Sequence, residues 1–366
     1  MRLMTFTWCI FFILTILSII LYLYLIITQI KSHLYKVQST SYKKYDDVNY
    51  DDNVNDVKYD NDASANDIKL FRSRLIVDLR KSEFEKSNLL FQNNFKNLYN
   101  VKFKGIKGSK LPNKKLLCDI DFQTNENIND LSMNKIHSKL FSSNDDSDCA
   151  LVSSAGAMTG SKLGNDIDSH SIVMRFNNAP TESYEQDVGN KTTIRILNSQ
   201  LVLNDSFKLT ESVIFKNADK FVWDVLDYDL NLKNWKIKRK NFFDLFQNAN
   251  DIFPDKKLQL IHPSVIWKLW DVLQTSTHST LPKTPPSSGF IGLLYLMKMC
   301  TTIDIYEYIP SIRVTNKCHY YDDTQNKGCT FGDWHPLATE KLFVLAINEG
   351  NGFDQVTKGK VTIKGC

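Results

Sequence analysis

Residues 149–200 decide the fold of this chain, and they read CALVSSAGAMTGSKLGNDIDSHSIVMRFNNAPTESYEQDVGNKTTIRILNSQ. Within them, residues 150–152, 172–176 and 193–197 are short apolar runs of the kind that form buried strands. The first run leads into Ser-Ser-Ala-Gly, whose small side chains leave the backbone open to a ligand. The stretch therefore predicts strand, small-residue turn, helix, strand, loop and strand, as in an open α/β sheet.

Polar side chains end these three strands. Ser154 follows the first strand, Asn177 the second and Asn198 the third. Ligands of open α/β sheets bind beyond the carboxyl ends of the strands, so these side chains are predicted to meet in one crevice. An asparagine after a strand is often only a turn former, but three polar strand ends in series favour a binding crevice.

Residues 285–297 contain a second candidate binding feature, the start of a helix. The sequence Pro-Pro-Ser-Ser-Gly precedes a long apolar run, which predicts a buried helix capped by Ser287 or Ser288. The start of a helix offers free N–H groups to an anion such as a carboxylate or a phosphate. A purely structural cap is the alternative. Residues 302–308 then predict a further strand.

The amino-terminal segment is predicted to anchor the chain in a membrane. Residues 3–30 contain no charged side chain, and about 20 such residues cross a hydrocarbon core of about 30 Å. A cleaved signal peptide is the alternative, but its apolar region would be shorter and would precede a small-residue cleavage site, whereas this segment runs directly into Lys31. Residues 1–30 are therefore expected to form a short tail and a transmembrane signal anchor.

Residues 31–110 are expected to form a stem, and residues 111–366 the globular domain. As far as about residue 67 the sequence lacks the apolar area that would offset the entropy of ordering. Between residues 70 and 98, loosely spaced apolar residues such as Leu75 and Leu79 are compatible with a helix of the stem or of the domain edge. The formal net charge of +4 over 366 residues is too balanced to indicate a nucleic-acid partner.

The cysteines indicate an oxidising compartment. Of the seven, Cys9 lies in the predicted anchor, and the others form an even set that favours disulfides. That set is Cys118, Cys149, Cys300, Cys318, Cys329 and Cys366. Sequence alone leaves their pairing open. Asn190 and Asn204 each begin an N-glycosylation sequon, which agrees with a secretory route.

Several ordered motifs resemble those of the animal sialyltransferases, and most closely those of the β-galactoside α-2,6-sialyltransferases. They are CALVSSAG, IDSHSIVMRFNNAP, QDVGNKTTIR and NSQL in the stretch above, followed by PPSSGFIGLLYLMKMC, CHYYDD and HPLATEK. The resemblance implies a variant Rossmann-like glycosyltransferase fold, a single sheet wrapped by helices. It also implies a single-pass type II protein of the Golgi membrane with a lumenal catalytic domain. Its disulfides would be Cys118–Cys366, Cys149–Cys300 and Cys318–Cys329.

The resemblance also assigns roles to individual residues. His335 is implied to be the general base, because a neutral imidazole with a pKa near ~6.5 takes up a hydroxyl proton readily. Gln200 and Trp223 are the expected acceptor contacts, with Trp223 stacking on a sugar face; a buried core position is at least as common for a tryptophan. His319 and Trp334 stand where related enzymes tend to carry tyrosine. The donor, CMP-sialic acid, is expected to contact Ser154, Asn177, Asn198, Ser287, Ser288, Gly289, His319, Thr330, Trp334 and Lys341.

No metal cofactor is expected. Residues 119–121, 166–168 and 227–229 match the Asp-x-Asp pattern with which many nucleotide-sugar transferases hold a divalent cation. An Asp-rich chain produces such matches by chance, and a CMP-sugar donor carries one phosphate rather than a diphosphate, so its departure needs less neutralisation by a metal.

The expected reaction is inverting transfer of sialic acid from CMP-sialic acid to the 6-hydroxyl of a terminal galactose or N-acetylgalactosamine on glycoprotein glycans. One alternative is α-2,3 transfer, against which the SSAG and NSQL segments argue. Another is a catalytically silent, membrane-tethered glycan-binding protein. Such a protein is expected to lack the base or the donor crevice, and this sequence carries both.

Overall fold

The computed structural model of the chain describes residues 65–92, 107–121, 147–202, 218–224 and 240–366, apart from residues 262, 283 and 333. The predicted membrane anchor lies outside these ranges, as does the first part of the predicted stem. Among the helices that are described, none has the length and apolar character needed to cross a bilayer.

The strands of the described residues form one seven-stranded sheet in the order β5-β4-β3-β2-β1-β6-β7. Neighbouring strands are parallel, except that β7 runs antiparallel to β6. The strands are β1 Asp148–Val152, β2 Ile172–Phe176, β3 Ile194–Asn198, β4 Lys220–Asp224, β5 Lys257–Ile261, β6 Thr302–Tyr306 and β7 Lys360–Lys364. The strands predicted from the sequence lie within two residues of the observed ones, so the predicted α/β class is confirmed.

The topology decides where a ligand binds. From β1 the chain adds β2, β3, β4 and β5 on one side and then crosses over to place β6 on the other side. The connections therefore diverge between β1 and β6, and a crevice opens there at the carboxyl edge of a parallel sheet.

Helices cover both faces of the sheet. The described helices are α1 Ala65–Gln92, α2 Lys114–Cys118, α3 Gly164–Asp168, α4 Glu185–Val188, α5 Ser199–Val202, α6 Lys240–Ile252, α7 Pro263–Thr275, α8 Ser288–Met297, α9 Gly328–Phe331, α10 Leu337–Ala346 and α11 Gly352–Lys358. A turn of 3₁₀ helix, Gly156–Met158, follows β1.

Helix α8 lies at the centre of the larger core. Its residues from 290 to 297 are all buried, as expected of a helix that is apolar on every side. A Cβ atom on Gly292 would lie 2.8 Å from the Met174 sulfur and 3.0 Å from the Phe176 ring, so glycine lets α8 lie directly against β2. This close packing fixes the start of α8 beside the carboxyl ends of the strands.

Helix α1 corrects the predicted domain boundary. The stem was expected to extend to residue 110, but α1 packs against α10 and α11. Its residues Ile68, Leu75 and Leu79 are buried, and Leu79 has no exposed surface. These positions are spaced by about two turns and then one turn, so a single stripe of the helix faces the core. Apolar residues also lie outside this stripe, with Leu70 and Val77 exposed, which explains why the apolar spacing in the sequence looked loose.

Three disulfides connect the domain, in the pairing that the resemblance implied. Cys118–Cys366 and Cys149–Cys300 span sequence separations of 248 and 151 residues. Both lie at the amino edge of the parallel sheet, because Cys149 opens β1 and the terminal residues follow β7, which runs the opposite way. Cys318–Cys329 closes a local loop at the carboxyl edge.

Candidate active site

A single crevice of about 380 Å³ opens at the carboxyl edge of the sheet. The three predicted strand ends line it, together with the start of α8 and the segment that contains His335. Every residue predicted to bind the donor lies on its wall. These residues are Ser154, Asn177, Asn198, Ser287, Ser288, Gly289, His319, Thr330, Trp334 and Lys341.

The loop after β1 forms the floor of the crevice. Ser153 donates its hydroxyl to the backbone carbonyl of Glu307 at 3.0 Å, which joins the ends of β1 and β6. The Ser154 carbonyl accepts the backbone N–H of Tyr320 at 3.1 Å. A Cβ atom on Gly156 would lie 2.5 Å from the Lys317 carbonyl oxygen, so the loop passes too close to residue 317 for any side chain.

Asn177 and Asn198 are held with their amide nitrogens available to a ligand. The Asn177 Oδ1 accepts the backbone N–H of Asn198 at 3.0 Å, and the Asn198 Oδ1 accepts that of Leu201 at 2.9 Å. Because both oxygens accept backbone N–H groups, each Nδ2 is what its side chain offers to the crevice. Asn177 has a φ of 48°, a left-handed conformation that asparagine tolerates better than most residues.

Two buried arginines lie beneath these asparagines. Arg175 and Arg195 face each other in register on β2 and β3. Arg195 Nη1 donates to the Asn177 carbonyl at 2.7 Å, which holds the left-handed turn in place. Burial lowers the pKa of each guanidinium to about 10, so both stay charged at neutral pH. They place positive charge behind a crevice predicted to take an anion, and the sequence analysis did not identify them.

The start of α8 is fixed by a buried carboxylate. Ser287 caps the helix, as predicted, by accepting the Phe290 N–H at 3.2 Å. Glu340 has no exposed surface and accepts the Ser287 N–H at 2.8 Å and the Ser287 hydroxyl at 2.6 Å. Its Oε2 also accepts the Tyr308 hydroxyl at 2.5 Å. The carboxylate therefore fixes the capping residue of α8 beside the part of the crevice that Ser288 and Gly289 line.

His335 is held in one tautomer. Its Nδ1 lies 2.8 Å from the Pro285 carbonyl oxygen, which only accepts, so in the neutral imidazole Nδ1 carries the proton and Nε2 has the lone pair. The Trp334 ring packs edge-on against the imidazole with centroids 4.7 Å apart. Pro336 precedes α10, as predicted. The half-buried imidazole therefore lines a crevice wall with its Nδ1 engaged by the backbone.

Lys341 places a buried ammonium in the same wall. Only 5% of its surface is exposed, and its Nζ donates to the Thr330 carbonyl. Burial lowers the pKa of Lys341 to about 8, against the opposing effect of the neighbouring Glu340. The ammonium is therefore charged at neutral pH and suits an anionic group of a ligand.

His319 lies in the loop between Cys318 and Cys329. Its Nδ1 is 2.6 Å from the Asp322 carboxylate, and its ring stacks on Tyr321 at 5.1 Å between centroids. Although desolvation opposes ionisation, the hydrogen bond from His319 keeps the pKa of Asp322 below its usual range. This pairing directs Nε2 of His319 away from the carboxylate, as a group that can contact a ligand.

The two residues predicted to contact the acceptor, Gln200 and Trp223, do not line the crevice. Trp223 is fully buried and packs edge-on against Phe242 and Phe246, each 5.4 Å away between ring centroids. The prediction that it stacks on a sugar is wrong, because its ring lies on the face of β4 that α6 covers. Gln200 is exposed in the first turn of α5, next to Asn198 but outside the crevice lining. Its acceptor role stays a prediction.

The Asp-x-Asp carboxylates that the structure describes have partners of their own. Asp119 pairs with Lys115 at 3.4 Å, and Asp166 accepts the Tyr306 hydroxyl at 2.9 Å. Asp168 accepts two backbone N–H groups at the turn that contains the exposed Asn190. The third candidate, residues 227–229, and the sequon at Asn204 lie outside the described residues.

The sequence profile of glycosyltransferase family 29 (sialyltransferase) matches residues 90–351 of the chain. The chain belongs to this family. It is 39% identical over 286 residues to the β-galactoside α-2,6-sialyltransferase 2 of Gallus gallus, which covers 74% of this chain and 53% of the relative. It is 46% identical over 218 residues to the protein of the same name from Homo sapiens, covering 59% of this chain and 41% of the relative.

This sialyltransferase chain spans about half the length of the curated relatives it matches. A solved structure described as a mammalian sialyltransferase is 21% identical and aligns with a TM-score of 0.36, covering 55% of this chain and 67% of that chain. The resemblance stated from the sequence motifs is confirmed. The family match begins at residue 90, so nearly all of α1 lies upstream of it.

Proposed function

We propose that this sialyltransferase moves sialic acid from CMP-sialic acid to the 6-hydroxyl of a terminal galactose or N-acetylgalactosamine on glycoprotein glycans. The observation that carries the proposal is the crevice itself, where a tautomerically fixed imidazole faces the same space as an ammonium, two amides and a helix start. The names of the relatives support the 6-linkage and galactose as the acceptor.

The donor is an anion, and the crevice is built to hold one. The start of α8 lies on the crevice wall at Ser288 and Gly289, and the positive end of a helix suits the carboxylate of sialic acid. Lys341 and His319 lie on the wall formed by the Cys318–Cys329 loop and α10, which suits the phosphate of CMP. The amides of Asn177 and Asn198 remain for the nucleoside.

The reaction in this arrangement is an in-line displacement. The acceptor oxygen attacks the anomeric carbon as the bond from that carbon to the CMP phosphate oxygen breaks, so the configuration inverts. His335 Nε2 takes the proton from the attacking hydroxyl, and its Nδ1–H stays bonded to the Pro285 carbonyl throughout. The leaving CMP carries away the bonding electron pair, and the nearby ammonium of Lys341 stabilises its charge.

The cellular setting belongs to the same proposal. Three disulfides in one domain are typical of an oxidising lumen. With the apolar segment at residues 3–30, they support a Golgi type II protein whose domain faces the lumen.

Transfer to a panel of acceptors tests the function. The full chain in detergent is incubated with labelled CMP-sialic acid and acceptors ending in galactose or N-acetylgalactosamine, and mass spectrometry determines the linkage. We expect 6-linked product. Folded protein that binds CMP but modifies no acceptor would refute the proposal in favour of a glycan-binding protein, and 3-linked product would refute the linkage.

His335→Ala tests the base. Loss of a general base typically lowers the rate ~100-fold to ~10,000-fold, so we expect CMP binding and folding to persist while turnover falls by that factor. Near-normal turnover would remove His335 from the mechanism.

The proposed reaction uses no metal. The cationic groups of the crevice supply the charge that a metal would otherwise provide. We therefore expect the transfer rate to be unchanged in excess EDTA. A loss of activity that Mg²⁺ or Mn²⁺ restores would contradict this.

A further inference from the structure

Helix α1, which lies almost wholly upstream of the family match, contacts the segments that build the crevice. Ser82 donates its hydroxyl to the Phe331 carbonyl at 3.2 Å. One residue later, the Glu83 carboxylate accepts the Thr339 hydroxyl at 2.5 Å. Thr339 is in the first turn of α10, beside Glu340 and four residues after His335.

Hydroxyl groups from two segments of the chain face the Glu83 carboxylate. Besides Thr339, the hydroxyls of Thr277 and Ser279 face it from the loop between α7 and α8 and help to lower its pKa. All three partners are buried. The charged groups that face it are Arg80 on its own helix and Lys107 from the segment before α2. Its desolvation raises the pKa of Glu83, and these partners oppose the rise.

The two segments joined by Glu83 are the ones whose relative position sets the geometry of the crevice. Between them run the bonds from the Thr284 hydroxyl to the Trp334 carbonyl and from His335 Nδ1 to the Pro285 carbonyl. The bonds from the Ser287 N–H and hydroxyl to the Glu340 carboxylate also join these two segments. Glu83 ties the same two segments from the side away from the crevice.

We propose that Glu83 is a positioning residue that sets the distance between the start of α8 and His335. The inference rests on the proposed function and extends it to a helix outside the family match. Without the carboxylate, the buried Thr339 hydroxyl loses its acceptor, and the loop that leads to Ser287 loses the carboxylate that faces Thr277 and Ser279 beside α10. A displacement of about 1 Å at a reacting group costs up to ~100-fold in rate.

The test compares Glu83→Ala and Glu83→Gln in the full chain, with Glu85→Ala as the matched control. Glu85 lies on the same helix, is exposed and pairs only at 4.0 Å with Lys81. We measure kcat, KM for CMP-sialic acid, and the unfolding midpoint, with kinetics at a temperature where every variant is folded. Glu83→Ala should lower kcat ~10-fold to ~100-fold, Glu83→Gln should recover most of it through its amide oxygen, and Glu85→Ala should change nothing.

Two further experiments complete the test: substitution of Thr339, the hydrogen-bond partner of Glu83, and a hydrogen-exchange measurement that does not depend on activity. Thr339→Val should reproduce the kcat loss, and the double variant should lose no more than either single one, because both remove the same tie. If Glu83→Ala does not fold, Thr339→Val takes its place in the test. Hydrogen exchange of the amides in residues 287–291 and 335–340 should accelerate in the Glu83 variant even if the wild type transfers no sialic acid. A lower unfolding midpoint with unchanged kcat and exchange would overturn the proposal and leave α1 as a purely structural brace.

Discussion

Removing the Glu340 carboxylate should destabilise the fold more than its size suggests. Glu340→Ala leaves the Ser287 N–H, the Ser287 hydroxyl and the Tyr308 hydroxyl, all in buried residues, without their acceptor. Each buried group left unpaired costs about 1–3 kcal/mol, and taking one partner from a buried charged cluster typically costs about 3–5 kcal/mol in total. We therefore expect the free energy of unfolding to fall by about 3–5 kcal/mol.

Glu340→Gln should cost less. The amide oxygen still accepts from the Ser287 N–H, whereas the amide nitrogen must donate, so a hydroxyl has to rotate to accept it. We expect a loss of about 1–3 kcal/mol. Tyr308→Phe removes one of the bonds to the carboxylate, and its cost should not add fully to that of Glu340→Gln because the two changes share a bond.

Urea unfolding of the full chain with its disulfides intact measures these losses. Glu349→Ala is the matched control on an exposed residue, whose pairs with Lys114 at 3.7 Å and Lys364 at 3.2 Å should contribute less than about 1 kcal/mol. If Glu340→Ala costs no more than Glu349→Ala, the carboxylate does not hold the start of α8.

Two further predictions concern donor binding. Because burial lowers the pKa of Lys341 to about 8, its ammonium is charged at neutral pH and loses its charge as pH rises through that value, so KM for CMP-sialic acid should rise above about pH 8. Lys341→Met should show a high KM without this rise, and a flat wild-type profile would exclude the ammonium from donor binding. Asn177→Ala and Asn198→Ala should each weaken donor use while the protein stays folded, with an added strain of about 1 kcal/mol at Asn177 from its φ of 48°. Unchanged donor dependence in both would argue against the crevice.

The sequence predicted what local patterns determine. The strands were visible because the strands of a covered parallel sheet are continuous apolar runs, and the turn chemistry of Ser154 and Asn177 marks their ends. The helix start at Ser287 follows from proline, serine and an apolar run that lie within a few residues of one another. Parallel topology then brings the strand ends together without further information.

Contacts between distant parts of the chain could not be predicted in this way. The alternation of side chains along β4 does not tell which face α6 covers, so the sequence did not decide between an acceptor contact and a buried core position for Trp223. Nothing near Glu340 in the sequence points to Ser287, 53 residues away, as its partner. The role of Glu83 is still less visible, because its partner Thr339 lies 256 residues further on.

The distribution of the disulfides gives the domain one stiff edge and one compliant edge. Cys118–Cys366 and Cys149–Cys300 cross-link distant segments where the parallel strands begin. Where the strands end, Cys318–Cys329 ties only one loop to itself, and the facing walls of the crevice meet through hydrogen bonds such as that from His335 to Pro285. Each such bond contributes about 1 kcal/mol net, which thermal motion overcomes readily. The two walls of the crevice are therefore joined without a covalent cross-link, and a change in their separation breaks only hydrogen bonds.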